Sequence, residues 1–505
     1  MRFREKITCL LLLALASIYF LQKIDLTTVD LGRHIRNGEY FLKDPKVLYT
    51  NFYSYTEPSF ETVNHHWLFG FLTYLIWSVG NFKLISIIFA VINLSSFFLL
   101  FLSAKKSSSF TIALFASLWL IPIIAARKEI RPEMISYLFL AIFLFYLVRF
   151  KNGEITFKKL CVLLLLVQLL WVNTHIFFIF GLLLAGVLTV KNIPIKKLLF
   201  LLLALVLTSL INPAGIKGFL EPFNIFKEYG YMVAENQSVI FMQKRFYNPL
   251  YFHFELSFIM IFCGFFILLL KSRMDFKRNL PLFGLFLIFG LLAFRLNRLI
   301  AMSGMMFLFT GSSVMKEIFN CLPKKYGGDG GDKKLITSFL GSVFFILYLI
   351  PNNYSSVFNN NFGIGALAKN EKSAEFFIET ALHGPIFNNY DIGSYLIFHL
   401  FPNERVFVDN RPEAYPTDFF KGIYIPMQED EKTWEIMDRK YNFNIIYFYR
   451  HDLTPWGQPF LIKRLGDVHW APIYVDEAVL IMAKNNDENK NIIEKYKLPK
   501  NIFGH

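Results

Sequence analysis

The sequence predicts an α-helical polytopic membrane bundle of about 11 spans, followed by a C-terminal extracytoplasmic α/β domain. Of the 505 residues, 54% are hydrophobic and only 18% are charged, and the mean hydropathy is +0.42. Soluble chains are usually about 45–50% apolar and about 25% charged, so this composition excludes an ordinary soluble enzyme and a disordered chain. Apolar runs long enough to cross a bilayer recur through residues 1–351, and strand-length patterns replace them after that point.

A span is expected wherever about 17–25 consecutive residues are mainly apolar, because a helix of this length crosses the hydrocarbon core. The bundle domain is predicted over residues 1–351, and the short apolar stretch 67–80 is predicted to be an interfacial or re-entrant helix. Long outer loops are predicted at 25–66 and 213–250. The predicted spans lie near residues 7–24, 84–102, 108–126, 134–150, 158–173, 176–190, 196–212, 252–271, 279–295, 299–316 and 334–351.

The net charge of +14 is unevenly distributed, which indicates a membrane topology rather than a nucleic-acid-binding surface. Residues 352–505 contain 16 Lys and Arg against 20 Asp and Glu, so they carry −4 and residues 1–351 carry +18. Much of the surplus falls in every second loop, as expected of cytoplasmic loops. The protein is therefore predicted to be a multi-pass protein of the plasma (inner) membrane, with a cytoplasmic N-terminus and an extracytoplasmic C-terminal domain. The predicted inner clusters are Lys105–Lys106, Arg149–Lys159, Lys191–Lys197, Lys271–Arg278 and Lys316–Lys334.

Residues 352–505 form the second predicted domain, a small α/β unit. Runs rich in β-branched and aromatic residues predict strands at PIFNN, RVFVDNR, FNIIYFYR and APIYVDEAVLIMAK, with helices near 391–400, 417–425 and 430–441. Asp409 and Arg411 follow a predicted strand, where functional loops often lie, and a salt-bridged turn explains them equally well. Asp391 is predicted to cap the start of a helix.

The first outer loop, residues 25–66, concentrates ionisable and aromatic side chains in DLGRHIRNG and NHHWL. Asp30 and His34 are four residues apart, so a short helix would place both on one face. An ionisable group held at the membrane surface suits general-base catalysis, so both are candidate catalytic residues. A solvated loop with an interfacial aromatic belt is the alternative interpretation. The candidate substrate-binding residues of this loop are Arg33, Glu57, His65 and His66.

Two arginine-rich segments lie at predicted outer ends of spans, where the positive-inside rule disfavours them. They are ARKEIRPE at 126–133 and FRLNRL, which begins at residue 294. A lipid phosphate or pyrophosphate would explain these cations, because Arg binds such groups in bidentate fashion. Snorkelling with local glutamate pairing is the alternative, and a histidine in WVNTH is more often structural than a ligand. The candidate substrate-binding residues here are Arg127, Lys128, Arg131, Glu133, His175, Arg295 and Arg298.

Through DLGRHIRNG, NHHWL and, more weakly, RPE and DNR, the chain resembles bacterial polytopic glycosyltransferases of the GT-C type. That group includes protein O-mannosyltransferases, aminoarabinose transferases and oligosaccharyltransferases, and the resemblance covers the topology of most of the chain. It implies transfer of a sugar from a polyprenyl-phosphate carrier to an acceptor at the outer face of the membrane. Asp30 would take the family's acidic position as general base or acceptor anchor, and Arg127, Arg131, Arg295 or Arg298 would hold the carrier phosphate.

The resemblance specifies no cofactor with certainty, and a divalent metal is compatible with it. Many members have two adjacent acids in the first loop, whereas Leu31 follows Asp30 here, so the metal ligands are unknown. The expected partners are a polyprenyl-phosphate-linked sugar donor, membrane lipid and a glycan, lipid or protein acceptor, with no nucleic acid. Two alternatives stay open: a transporter or flippase of lipid-linked sugars, which predicts charges deep in the spans and internal symmetry, and a non-catalytic envelope assembly protein.

Overall fold

The computed structural model describes residues 3–127, 129–224, 227–321, 362–367 and 369–503. The predicted last span at 334–351, the glycine-rich stretch 327–331 and Lys128 lie outside these residues. The predicted boundary between the two domains, at 351–352, lies outside them as well.

Residues 3–321 fold mainly into α-helices, as their apolar runs predict. Polar side chains mark several helix starts, because the side-chain oxygens of Ser109, Thr156 and Ser272 accept hydrogen bonds from backbone N–H groups of α4, α6 and α12. The helices are α1 Phe3–Phe20, α2 Leu31–Lys43, α3 Trp67–Ser107, α4 Phe110–Ile124, α5 Pro132–Lys151, α6 Phe157–Thr174, α7 Ile179–Thr189, α8 Ile195–Ser209, α9 Ile216–Asn224, α10 Val239–Arg245, α11 Pro249–Lys271, α12 Arg273–Arg295 and α13 Ile300–Asn320.

Six of the described helices are long and apolar enough to cross a membrane, so the expected count of about 11 spans is not confirmed. One reason is that α1 begins with three charged residues in the segment REK, and another is that α4 and the stretch Ile176–Thr189 are shorter than a full span. The predicted short helix at 67–80 is present, because the backbone leaves helical geometry at Gly80 and Asn81 and this kink divides α3 into two helices. Its interfacial position stays a prediction.

Loops predicted to lie on the cytoplasmic side contact one another in the structure. Such contacts require that the loops lie at the same end of the bundle, so the alternation of loops agrees with the one that the charge pattern predicts. The contacts are Lys105 with Glu5, Lys106 with Glu154, Lys191 with the Lys277 carbonyl group, and Arg278 with Glu317.

Helix α2 holds the first outer loop against α3 through two facing glycines. A Cβ atom at Gly70 would lie 2.8 Å from the carbonyl oxygen of His34, and a Cβ atom at Gly38 would overlap the carbonyl oxygen of Gly70. Because neither residue has a side chain, the two backbones approach closely. Asp30 directly precedes α2, so this contact positions it relative to the bundle.

We expect Gly38→Ala to destabilise the protein, because the added methyl group fits only if α2 moves away from α3. Overpacking of this kind typically costs about 1–3 kcal/mol, and thermal unfolding of the detergent-solubilised protein should show a lower Tm. Gly284→Ala in α12 is the matched control, since a Cβ atom there meets nothing within 4 Å and alanine favours a helix over glycine. Equal Tm values for the two variants would contradict the tight packing of α2 on α3.

The C-terminal domain contains a four-stranded mixed sheet with the strand order β1-β2-β4-β3. Strand β1 (Ile386–Asn388) runs parallel to β2 (Ile445–Tyr449), whereas β4 (Val479–Lys484) is antiparallel to β2 and to β3 (Trp470–Val475). The strand predicted at RVFVDNR is wrong, because this segment forms only an isolated bridge between Val406 and the first outer loop. The longer helices of the domain are Lys369–Glu379, Gly393–Leu400, Glu431–Tyr441, Gly457–Gly466 and Lys490–Tyr496.

The C-terminal domain docks on the first outer loop through polar contacts. The guanidinium group of Arg36 donates to the Phe398 carbonyl oxygen through Nε at 2.8 Å and Nη2 at 2.6 Å. The Ser394 hydroxyl accepts a hydrogen bond from the backbone N–H of Arg33 at 3.1 Å. The domain therefore covers the end of the bundle at which Asp30 lies.

Candidate functional site

A cavity of about 550 Å³ lies between the bundle and the C-terminal domain. Its first wall comes from the segments around Asp30 and His66, the α4–α5 loop and residues 297–298. Its second wall comes from residues 390–391, 410–413 and 449–454 of the C-terminal domain. Further lining comes from His175, Ile176, Glu221 and residues within 229–246 of the second outer loop, so segments that are distant in sequence share one cavity.

Asp30 lies at the base of the first wall among positively charged and imidazole groups. Its Oδ2 atom is 3.1 Å from Nε2 of His34 and 3.5 Å from Nη2 of Arg33, and its Oδ1 atom is 3.9 Å from Nε of Arg131. Burial alone would raise the pKa of Asp30, but His34, Arg131 and Arg33 hold it well below its usual range. Burial and the Arg33 charge lower the pKa of His34 to about 4, so this ring is neutral at pH 7.

Three arginines converge on one carboxylate beside Asp30. Glu235 accepts hydrogen bonds from Arg127 at 2.6 Å and from Arg131 at 3.0 Å, and Arg298 lies 3.8 Å away. Burial would raise the pKa of Glu235, but the three guanidinium groups lower it. Arg298 is held in place by a 2.7 Å ion pair with Glu133, which is almost fully buried. The Glu235 carboxylate thus marks a position where several guanidinium groups hold an oxyanion.

Three histidines extend this wall. The ring of His66 stacks on that of His175 with 5.2 Å between centroids, and the ring of His65 is 3.9 Å from that of His66. His175 is oriented by the Ser136 hydroxyl, 2.9 Å from its Nδ1 atom, and that hydroxyl accepts a hydrogen bond from the indole of Trp171. Burial lowers the pKa of His65 to about 3, so it adds hydrogen-bonding capacity rather than charge.

Several buried polar atoms of the first wall have no hydrogen-bond partner among the described residues. Nearly all buried polar atoms in folded proteins are hydrogen-bonded, so a group of exceptions in one cavity points to a polar ligand. Four of the atoms are arginine N–H donors, which indicates a ligand that accepts hydrogen bonds and carries negative charge. The atoms are Asp30 Oδ1, Arg33 Nε, His66 Nε2, Arg127 Nε, Arg131 Nε and Arg298 Nε.

The wall from the C-terminal domain is more acidic. Asp391, Glu413 and Asp452 line it, and burial raises the pKa of Glu413. Asp409 and Arg411 form a 2.6 Å ion pair, with Asp409 fully buried, so the salt-bridged turn that the sequence allows is present. The domain wall is the acidic face of the cavity, because Asp391, Glu413 and Asp452 outnumber Arg411 there, whereas the bundle wall and the second outer loop carry five arginines and five carboxylates among the described residues.

The structure brings most of the predicted site residues together in this cavity. His34 is buried directly behind Asp30, whereas Glu57 and the exposed Arg295 do not line the cavity, and Lys128 lies outside the described residues. Sequence reasoning did not find Glu235, because nothing in its surrounding loop sequence distinguishes it. The predicted residues that line the cavity are Asp30, Arg33, His65, His66, Arg127, Arg131, Glu133, His175 and Arg298.

The side chains around Asp30 do not fit a metal centre. Within the part of the chain that the structure describes, no group of three or more His, Cys, Asp or Glu side chains is arranged to hold a metal ion. Arg33 and Arg131 flank Asp30 instead, and their positive charges repel a divalent cation. The chemistry proposed below therefore uses no metal step.

The fold and the cavity define a polytopic membrane protein whose C-terminal domain covers a cavity rich in charged side chains at one end of a helical bundle. The fold is that of the GT-C glycosyltransferases. An oligosaccharyltransferase of Archaeoglobus fulgidus matches with a TM-score of 0.60 at 12% identity, over 97% of this chain and 75% of that chain. ArnT of Cupriavidus metallidurans matches with a TM-score of 0.53 at 11% identity, over 97% and 98%. The arabinofuranosyltransferase AftD from Mycobacteria matches with 0.54 at 12% identity, over 97% of this chain but 40% of that one.

Solved structures of these proteins include bound ligands. ArnT has been solved with undecaprenyl phosphate, and the oligosaccharyltransferase with a tethered acceptor peptide and, separately, with Zn and sulfate. No family model matches the sequence, and no curated protein is significantly similar to it. At identities of 11–12% the likeness establishes the fold, and the reaction has to be argued from the cavity.

Proposed function

We propose that this protein is an integral membrane glycosyltransferase that moves a sugar from a polyprenyl-phosphate carrier to an acceptor at the outer face of the membrane. The observation that carries the proposal is the convergence of Arg127, Arg131 and Arg298 on one anion position beside Asp30. The undecaprenyl phosphate bound to ArnT, a protein of the same fold, supports this class of donor.

In this proposal the protein lies in the plasma (inner) membrane with its N-terminus in the cytoplasm. The cavity and the C-terminal domain then face the outside, where a lipid-linked sugar is presented to its acceptor. An odd number of spans, such as the predicted count of about 11, gives this arrangement. The loops rich in lysine and arginine at the opposite end support the orientation.

The reaction needs stabilisation of negative charge, which the arginines of the bundle wall can supply. A carrier phosphate is the leaving group, so negative charge grows on its oxygen as the bond to the sugar breaks. Preorganised guanidinium groups in a partly buried site stabilise such charge more strongly than water does. The orphan Nε donors of Arg127, Arg131 and Arg298 are additional groups that the phosphate oxygens can use.

Asp30 and His34 are the predicted catalytic residues, and this proposal makes Asp30 an acceptor anchor and His34 the residue that positions it. His34 and Arg33 bind one carboxylate oxygen of Asp30, while its Oδ1 atom has no hydrogen-bond partner among the described residues. Asp30 therefore can accept a hydrogen bond from a substrate hydroxyl while it also holds Arg33 and Arg131 in position. This fits the role of an acceptor anchor.

Two measurements test the proposal. Native mass spectrometry of the purified full-length protein should detect bound undecaprenyl phosphate, and cells lacking the gene should lose a specific glycosylated lipid, glycan or protein of the envelope. A flippase would bind the lipid phosphate, but cell-free membranes given the lipid-linked sugar would form no new glycosidic bond. A non-catalytic assembly protein would show neither binding nor transfer. Either result would overturn the proposal.

We expect Glu235→Gln to tighten the binding of undecaprenyl phosphate. The Glu235 carboxylate occupies the anion position, so the donor phosphate has to compete with its charge-assisted hydrogen bonds to Arg127 and Arg131. Such bonds are worth about 1.5–3 kcal/mol, which corresponds to an affinity gain of about tenfold or more. Titration of the lipid phosphate by native mass spectrometry gives the comparison.

Glu228→Gln is the matched control, because Glu228 lies in the same loop but is largely exposed and pairs with Lys421. It should leave the affinity unchanged. Weaker binding by Glu235→Gln would mean that Glu235 holds the arginines in their binding positions rather than competing with the phosphate.

A further inference from the structure

Asp391 is a cavity carboxyl group that the proposed function has not used. It lies in the short helical turn Tyr390–Ile392, directly after β1, and it lines the cavity. The prediction that it caps a helix is wrong, because Asn389 and Ile392 occupy the capping positions and neither start has a side-chain cap bond. Within the described part of the chain, no hydrogen bond or ion pair engages the Asp391 carboxylate.

The backbone around Asp391 is held firmly. The Tyr424 hydroxyl accepts a hydrogen bond from the backbone N–H of Tyr390 at 2.8 Å. The Asn389 side chain accepts from the Tyr449 N–H at 2.9 Å. A side chain that projects into a cavity from such a fixed turn is preorganised for contact with a ligand.

The charges that face Asp391 come from both walls. Burial and the charge of Asp452 raise the pKa of Asp391 to about 7, and Arg131 opposes this rise. The Asp452 carboxylate is itself fully engaged, since it accepts from Asn389 and from the backbone and hydroxyl of Thr454. The other titratable groups that face Asp391 are Tyr231, Tyr390, Tyr424 and Tyr449.

Asp391 and Asp30 are therefore suited to different tasks. A general base works best when its pKa lies near the operating pH. Asp30 is paired with Arg33 and lies close to Arg131, which lowers its pKa and makes it a weak base. Among the described residues no cation pairs with Asp391, which lies on the domain wall of the cavity, whereas Arg127, Arg131 and Arg298 lie on the bundle wall.

The surroundings of Asp391 also restrict the acceptor. Glu413 and Asp452 line the same face, and the charge of Arg411 there is paired with Asp409, so a phosphate or carboxylate acceptor would be repelled. Tyr231 stacks on Tyr390 with 4.2 Å between ring centroids, which adds a flat aromatic surface with phenol hydroxyl groups. A neutral acceptor that carries hydroxyl groups suits this face.

We propose that Asp391 is the general base of the transfer and that the acidic face around it binds a neutral, hydroxyl-bearing acceptor. This inference rests on the proposed function and narrows its acceptor to an alcohol, because a phosphate acceptor is already ionised. Asp391 takes the proton of the acceptor hydroxyl, whose oxygen forms a bond to the anomeric carbon of the sugar. The bond from that carbon to the carrier phosphate breaks, and its electron pair stays on the phosphate oxygen beside Arg127, Arg131 and Arg298.

The test compares Asp391→Asn and Asp391→Glu in the full-length protein. Asp391→Asn should lower kcat/KM for formation of the product that gene-deleted cells lack by about 10²–10⁴-fold and leave undecaprenyl phosphate binding unchanged. In the wild type, kcat/KM should fall as the pH drops through about 7, where the base becomes protonated. Asp391→Glu should retain part of the activity, and the acidic limb of its kcat/KM–pH profile should lie at a different pH. In Asp391→Asn this acidic limb should be absent.

Asp487→Asn, an exposed carboxylate of the same domain, is the control and should leave activity and Tm unchanged. The Tm of Asp391→Asn should be unchanged or higher, because the variant removes a carboxylate whose ionisation burial disfavours. Full activity of Asp391→Asn, or an unaltered pH limb in Asp391→Glu, would overturn the inference. If the wild type binds no undecaprenyl phosphate and forms no product, the proposed function fails instead, so the two failures are distinguishable.

Discussion

Arg298→Gln should lower kcat/KM for sugar transfer by about 10²–10³-fold, the usual cost of removing one preorganised donor from a site of developing negative charge. Arg298 faces the cavity between Glu133 at 2.7 Å and Glu235 at 3.8 Å, with its guanidinium group over the ring of Phe177. Glutamine preserves some polarity but removes the charge and the forked donor geometry. Both the affinity for undecaprenyl phosphate and kcat for sugar transfer should therefore fall.

Arg295→Gln is the matched control, because Arg295 lies three residues earlier, is exposed and does not line the cavity. It should leave transfer unchanged. Arg298→Gln also leaves Glu133 without its closest ion-pair partner, so Tm is measured for both variants. Arg298→Lys keeps the charge but not the forked donor geometry, so it separates the two effects. Equal activities for the Arg295 and Arg298 variants would show that the phosphate is held elsewhere.

This pair of arginines shows how far sequence reasoning can reach at the site. Both residues attract notice because the positive-inside rule disfavours cations at that end of a span. The sequence does not reveal that α12 ends at Arg295 and that Leu296 adopts extended backbone, with φ −131° and ψ 100°. That turn directs Arg298 into the cavity and leaves Arg295 outside, so the distinction depends on a local break that periodicity does not encode.

Glu235 escaped prediction for a different reason. It lies in a long loop without apolar periodicity, and it reaches the arginines because Asn297 donates to the Ala234 carbonyl group at 2.7 Å. Three partly buried arginines that lie close together nevertheless require counter-charges nearby. The second outer loop was the place to search for them, although several of its glutamates would have met that condition equally well.

The fold was predictable in outline because its signals are local. Apolar runs identify helices, and short β-branched runs identified β1, β2 and the β3–β4 hairpin. The docking of the C-terminal domain is not local, since Arg36 and Phe398 are 362 positions apart. The acidic face of the cavity arises from that docking, which explains why Asp391 was assigned only a capping role from the sequence.

Asp30→Asn is expected to reduce transfer about as strongly as the loss of an arginine. The substitution keeps the shape of the side chain but leaves Arg33, and in part Arg131, without the carboxylate that lies beside them. Removing one partner of a buried ion pair typically costs about 3–5 kcal/mol, which corresponds to about 10²–10⁴-fold in rate if the arginines leave their productive positions. Measurements of kcat/KM and undecaprenyl phosphate affinity should both show the loss.

The effect on stability has a definite pH dependence. The pKa of Asp30 is lower in the folded protein than in the unfolded chain, so its pairing stabilises the fold above pH of about 4 and is lost as the pH falls through the folded value. Asp30 is ionised in both states between pH 5 and 8, so the Tm deficit of Asp30→Asn should be nearly constant over this range. Asp44→Asn, an exposed carboxylate at the end of the same helix, should show no deficit.

The pH profile of the residual activity separates the roles of the two carboxylates. If Asp30 positions the arginines and anchors the acceptor while Asp391 takes the proton, Asp30→Asn should lower the whole profile and keep its limb near pH 7. If Asp30 is itself the base, the limb of the wild type should lie well below pH 7 and disappear in Asp30→Asn. The depressed pKa of Asp30 and its pairing with Arg33 favour the first result, because a carboxylate stabilised by a cation has little tendency to bind a proton.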